Sequence, residues 1–166
     1  MNRIRQFIVL ISLFLLFFGF STIICSPAAA NLRQHHESPG VLRYHAQSSL
    51  KDRQGYTWQV ILFPEPVASN SFTKYHLRLV GFPGIVEFIH PQPLEIIATN
   101  GGVFKAADLI AVQAPAPNVG EFDVTDILPL LSELGSLKLS ILLNDDRDLT
   151  ISIPSSTRIE WQLLSK

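Results

Sequence analysis

Residues 42–63 read LRYHAQSSLKDRQGYTWQVILF. Leu42, Tyr44, Ala46 and Leu50 alternate with Arg43, His45, Gln47 and Ser49, and Tyr56, Trp58, Val60 and Leu62 alternate with Thr57 and Gln59. A period of two places successive side chains on opposite faces of a strand. Between the two runs, Asp52-Arg53-Gln54-Gly55 supplies turn chemistry that ends on glycine. The stretch predicts an antiparallel hairpin with one buried face and Trp58 in the core. Beyond Gln59 the second face turns apolar through Ile61 and Phe63, so that end is expected to be covered on both sides.

The same pattern continues toward the C-terminus. Residues 72–80 read as a strand with Tyr75, Leu77 and Leu79 on one face and Lys74, His76 and Arg78 on the other. Gly81-Phe82-Pro83-Gly84 makes a turn, and 85–89 a short strand closed by His90-Pro91-Gln92-Pro93. Residues 94–99 and 103–106 flank Asn100-Gly101-Gly102, a hairpin turn because these residues accept positive φ. Residues 114–120 carry Pro115 and Pro117 and read as an extended loop. Residues 126–135 predict a helix capped by Asp126, with Pro129 in its first turn and Gly135 at its stop. Strands follow over 137–143 and 149–153, then a last one through Ile159, Trp161 and Leu163. Roughly ten short strands at hairpin spacing with one short helix indicate an all-β fold. It is expected to be a single-domain antiparallel β-sandwich or flattened barrel over 40–166.

The chain opens differently. Arg3 and Arg5 precede a run at 7–24 that is apolar except for Ser12, Gly19, Ser21 and Thr22, and no acid occurs before Glu37. Ser26-Pro27-Ala28-Ala29-Ala30 follows, with small residues at Ala28 and Ala30. That order is a signal peptide, 1–30, cleaved before Asn31. The alternative is a retained anchor, since a bilayer span takes roughly 20 apolar residues. A lipoprotein signal at Cys25 fits less well because Ile24 precedes it, where a small residue is needed. Residues 31–39 are polar and read as a flexible leader.

Cleavage leaves 136 of the 166 residues and removes the one cysteine, so the remainder has no disulfide, thiolate nucleophile or sulfur metal site. It holds 11 basic against 14 acidic residues, interspersed, a net of -3. Without a basic stripe to neutralise phosphates, nucleic acid is excluded as a partner. His35-His36-Glu37 lies in the leader, and adjacent side chains of an extended chain point apart. Asn144-Asp145-Asp146-Arg147-Asp148 lacks the glycine of a calcium loop and carries an arginine at its centre. No Gly-x-Ser-x-Gly elbow occurs. No catalytic, cofactor-binding or metal-ligating set is assigned, and no cofactor is expected.

The ordered motifs nevertheless resemble a known family. They are Pro39-Gly40-Val41 with Arg43-Tyr44, Ser49-Leu50-Lys51-Asp52 with Gly55, and Trp58-Gln59-Val60. Leu77-Arg78-Leu79-Val80-Gly81-Phe82-Pro83-Gly84 and His90-Pro91-Gln92-Pro93-Leu94 follow. The set closes with Ala116-Pro117-Asn118-Val119-Gly120-Glu121-Phe122-Asp123 and Glu160-Trp161. Over 32–164 the chain resembles a cyanobacterial family of exported proteins built on a domain of unknown function. The resemblance implies a cyanobacterial source, hence a periplasm or thylakoid lumen, and implies no activity, cofactor or catalytic residue.

Three classes of function follow. The first is a non-enzymatic accessory protein that docks on a membrane complex or envelope component. The others are a carrier of a small apolar ligand and a hydrolase. For docking, the proline-bearing loops 81–84, 90–93 and 114–120 are the candidates, because stiff loops lose little entropy on binding. In the docking reading Phe82 is the apolar anchor, with His90, Pro91 and Asn118 beside it; the alternative is that these are ordinary turns and Phe82 tucks into the core. A membrane contact is expected only through an uncleaved signal.

Overall fold

The computed structural model describes residues 3, 32–38, 41–66, 73–110 and 115–165. The expected export segment at 7–24 and the expected cleavage site at Ala28 and Ala30 lie outside the described residues. So does residue 114 of the third proline-bearing loop.

The hairpin at 42–63 forms as the alternation dictates. Strand β2 (Val41–Lys51) pairs antiparallel with β3 (Thr57–Pro66), Leu50 opposite Trp58 and Ala46 opposite Leu62. The Asp52 carboxylate accepts the backbone N–H groups of Gln54 at 2.8 Å and Tyr56 at 2.9 Å, which closes the turn. Ala46, Trp58, Val60 and Leu62 are buried on the inner face. Tyr44 and Tyr56, which the alternation assigns to that face, are exposed instead. Tyr56 stands at the turn, where no facing strand covers it, and lies under the Arg147 guanidinium.

The remaining strands are β4 (Thr73–Val80), β5 (Leu94–Ala98), β6 (Val103–Asp108), β7 (Val119–Asp123), β8 (Leu137–Leu142) and β9 (Asp148–Ile153). With β1 (Leu32–Ser38) the sheet runs β1-β2-β3-β4-β7-β6-β5-β8-β9, every pair antiparallel. Strands β2 to β9 curl into a nearly closed barrel. The seam is a single bridge between Asp52 and Ile151, with Arg53 N–H bonded to Thr150 O at 3.1 Å. Strand β6 turns the corner by pairing with β5 through Val103 to Ala106 and with β7 through Ala107 and Asp108. The inside is filled by side chains from all round the barrel, including Trp58, Leu77, Leu79, Ile96, Phe122, Leu139 and Ile151. An eight-stranded barrel is about as wide as side chains can fill.

Four segments depart from the sequence reading. Residues 32–38, assigned to a flexible leader, pair with β2 as β1. Residues 85–89 alternate correctly, Val86 and Phe88 buried and Ile85 and Glu87 exposed, but only Phe88 makes a bridge, to Leu143. The expected helix at 126–135 is a five-residue 3-10 helix, Leu128–Ser132, whose N-cap is Ile127 and not Asp126. Its entry is set upstream: Thr125 N–H bonds the Asp123 carboxylate at 3.0 Å, and Val124 N–H bonds Tyr75 O on β4 at 3.0 Å. Gly135, at φ +68 in a conformation that favours glycine, lies beyond the helix end, whose C-cap is Glu133.

The fourth departure is the largest. Ile159, Trp161 and Leu163 belong to helix α1 (Ser155–Leu164), not to a strand. Thr157, Glu160 and Trp161 are its buried positions, spaced three and four apart, while Ile159 and Leu163 face outward. Helix α1 follows β9 and continues along β2, where Thr157 Oγ1 meets Ser48 Oγ at 3.2 Å. Arg158 ties it to the end of the 3-10 segment by donating to Gly135 O at 2.7 Å. Among the described residues no helix is long and apolar enough to cross a membrane.

Candidate functional site

Two of the loops singled out in the sequence, 81–84 and the described part of 114–120, are fastened to each other. Gly81 N–H donates to Asn118 O at 3.0 Å, and the Asn118 amide donates back to Gly81 O at 2.8 Å. Phe88 N–H donates to Pro117 O at 2.9 Å, so 81–88 is fastened to the loop before β7 at two points. Gly81 is required by packing: a Cβ there would lie 2.9 Å from the Trp58 ring. The turn that follows closes through Ile85 N–H to Phe82 O at 3.2 Å, with Gly84 at φ +76.

This arrangement leaves apolar side chains outside. Phe82 is 65 % exposed and Ile85 is 44 % exposed. Arg147, from the β8–β9 turn, donates to Ile85 O at 2.7 Å and stands 5.7 Å from the Tyr56 ring centre. It also pairs with Asp145. Asn144 fastens the same turn to Glu87 through Glu87 O at 3.0 Å and the carboxylate at 2.9 Å. Three turns, carrying Tyr56, Ile85 and Arg147, therefore meet at one guanidinium, and the Ile85 turn also carries Phe82.

The other residues expected at this surface fall elsewhere. Asn118 is buried, and its amide is committed to Gly81, so it belongs to the scaffold. His90 is turned inward and reaches the loop end through Phe88, with ring centres 6.1 Å apart. Its Nδ1 lies 2.6 Å from Asp108 Oδ2. Pro91 is exposed, and the bond before it is cis. The Asp108 side chain is 3 % exposed and also accepts Gln92 N–H at 3.1 Å and Ile110 N–H at 2.9 Å. Among the described residues, His90 Nε2 and Gln92 Oε1 are buried without a hydrogen-bond partner. An imidazole oriented by a carboxylate is part of what nucleophilic catalysis needs, but among the described residues no hydroxyl bonds Nε2.

A second polar cluster sits on the outer face of β3, β4 and β7. Phe63 lies opposite His76, and Arg78 opposite Glu121, in the sheet register. His76 is buried there, its ring 5.6 Å from Phe63, and Arg78 stacks over the same phenyl at 4.9 Å. Arg78 donates to Glu121 Oε2 from Nε at 2.9 Å and from Nη2 at 2.7 Å. His76 Nδ1 lies 2.9 Å from Glu121 Oε1 and 3.0 Å from Glu65 Oε2. The hydrogen bond with His76 holds the Glu121 carboxyl below its ordinary range, against the opposing effect of burial and with help from Arg78. For Asp123, burial raises the pKa, but bonds from Thr125 and the nearby charges of Lys74 and His76 outweigh it and the net shift is downward. Glu65, Glu121 and Asp108 carry no signal in the sequence, because the register that unites them with histidines is set by the whole sheet.

A groove of about 290 Å³ runs between the 3-10 helix and α1, lined by Leu128, Pro129, Ser132, Gln162 and Ser165. Among the described residues its lining carries no titratable side chain.

No curated protein and no solved structure matches the chain. Residues 30–164, which span the whole barrel and helix α1, match the family model described as a protein of unknown function, and the chain belongs to that family, DUF3122.

Proposed function

We propose that this chain is an exported accessory protein of a cyanobacterial thylakoid lumen or periplasm. It docks on a membrane complex or an envelope component through the end of the barrel that carries Tyr56, Phe82 and Ile85, and it performs no chemistry of its own. The observation that carries this reading is Phe82: a large aromatic ring, 65 % exposed, on a turn held from beneath by Trp58 and Asn118. A folded chain gains nothing by leaving such a ring in water, whereas a rigidly presented aromatic on a turn that an arginine fastens has the composition of an interface hot spot. A barrel interior filled by Trp58, Phe122 and their neighbours favours docking over carriage of an apolar ligand. The hydrolase alternative draws on His90 and Asp108 and would need a nucleophile at Nε2.

The test is co-purification from native membranes, with the bound species identified. Phe82→Ala combined with Ile85→Ser is expected to weaken capture by about 30-fold or more, the cost of losing an anchor worth about 2 kcal/mol. The melting temperature should be unchanged, because both side chains are exposed. Undiminished capture would move the docking surface elsewhere. Asn118 is unsuitable for this purpose, since removing its amide damages the turn itself.

Export is tested on the same material. The intact mass of the native protein is expected to correspond to a chain beginning at Asn31. A species that retains Met1 and stays with the membrane would make this an anchored protein.

A further inference from the structure

We propose that Glu65, His76 and Glu121 form a binding site for a divalent cation of the zinc type on the outer face of the barrel. The three side chains come from adjacent strands β3, β4 and β7, and one donor atom from each lies within 4.8 Å of the other two. His76 Nδ1 is 2.9 Å from Glu121 Oε1 and 3.0 Å from Glu65 Oε2. A single Nδ1–H cannot serve two carboxylate oxygens fully. A cation in its place satisfies all three donors at once. Zinc bonds of about 2.0–2.1 Å in tetrahedral geometry set ligand atoms about 3.3 Å apart, close to the spacings already present.

The surroundings suit that role. Arg78 holds Glu121 through Oε2 with two hydrogen bonds and leaves Oε1 toward His76, as a supporting residue does for a ligating carboxylate. His76 is fixed on an interior strand against Phe63. Glu65 is 53 % exposed, so a fourth position opens to water. One imidazole nitrogen with two carboxylates prefers zinc to calcium or magnesium, which take oxygen donors almost alone. Arg78 and Lys74 place positive charge nearby and lower the affinity, so dissociation is expected in the roughly micromolar range, weaker than a closed structural zinc site.

The experiment is calorimetric titration of the chelator-treated, purified protein with zinc chloride, repeated with cobalt to read its visible ligand-field bands. One equivalent is expected to bind, and an excess of calcium or magnesium should not displace it. Glu65→Gln removes one ligand from an exposed position without threatening the fold and should weaken binding at least about tenfold. Replacing His35 and His36 together by alanine should leave the affinity unchanged. The proposal is overturned by an absence of stoichiometric binding, by equal affinity in Glu65→Gln, by displacement by calcium, or by loss of binding in the His35 and His36 variant.

Discussion

Trp58→Ala is expected to destabilise the protein by about 3–5 kcal/mol, the range for emptying a large aromatic site in a packed core. Trp58 is 1 % exposed and joins three parts of the barrel. Its ring meets Phe88 edge-on, with centres 5.9 Å apart, and lies directly beneath Gly81. Its indole N–H donates to Asp52 at 3.0 Å, and Asp52 both closes the β2–β3 turn and bridges to Ile151 at the barrel seam. Removing the ring therefore leaves a cavity, a carboxylate short of a donor and an unsupported turn below Phe82. Denaturant unfolding of the purified protein, followed by far-UV circular dichroism, should show the midpoint falling with little change in slope. Trp58→Phe keeps most of the packing and loses the hydrogen bond, so its cost should be about 1–2 kcal/mol. A loss below about 1 kcal/mol for the alanine variant would mean that the barrel collapses around the gap and that Trp58 does not organise this end.

That core was legible from the sequence because period two is unambiguous where a turn flanks it. In 42–63 the alternation survives Ser48 and the turn at Asp52 to Gly55 as far as Gln59, and the pairing of Leu50 with Trp58 follows. The C-terminal segment shows the limit of the same argument. A separation of four is a multiple of two and also lies near one helical turn, so Thr157 and Trp161 share a face in either structure. Glu160 breaks the tie: it is buried beside Trp161, which a helix allows and a strand does not. The polarity of Glu160 conceals this in the sequence. Residues 126–135 carried helix stop chemistry at Gly135, but Asp123, not Asp126, organises the entry through Thr125.

The candidate sites were less legible for a related reason. Phe82 could be singled out because glycines and a proline surround it in one short string. Tyr56 and Arg147 come from two other turns, and Arg147 joins them to the Phe82 turn through its hydrogen bond to Ile85 O and its stacking on Tyr56. His76 sits between Lys74 and Arg78 in a pattern that reads as a solvated face. Its burial arises because Glu121 and Phe63 are delivered beside it by the strands on either side. Alternation tells which face a residue occupies, but the partner across the sheet decides whether a polar side chain there is solvated or enclosed.

Asp108→Ala tests the other enclosed polar pair, and a cost of about 3–5 kcal/mol is expected. The carboxylate accepts from His90 Nδ1 and from the backbone N–H groups of Gln92 and Ile110, and its side chain is 3 % exposed. Alanine leaves those donors without an acceptor, and each unsatisfied buried group costs about 1–3 kcal/mol. Asp108→Asn keeps one acceptor oxygen, which can serve the Ile110 N–H at the Oδ1 position or the Gln92 N–H at the Oδ2 position but not both, and should cost less than alanine. His90→Ala added to Asp108→Ala should recover part of the loss, because it removes one of the stranded partners; coupling of about 1 kcal/mol or more in the double-mutant cycle is expected. These outcomes would mark the pair as a lock that fixes the Phe88 to Gln92 segment beneath the loop end. A catalytic pair behaves differently: Asp108→Asn would then preserve stability while abolishing turnover, since the carboxylate would matter for orienting His90 in the reaction more than for holding the fold. Full stability in Asp108→Asn with loss of an esterase or peptidase activity in the purified protein would replace the docking reading with the hydrolytic one. Destabilisation in proportion to the hydrogen bonds removed, in a protein without such activity, would confine His90 to the scaffold.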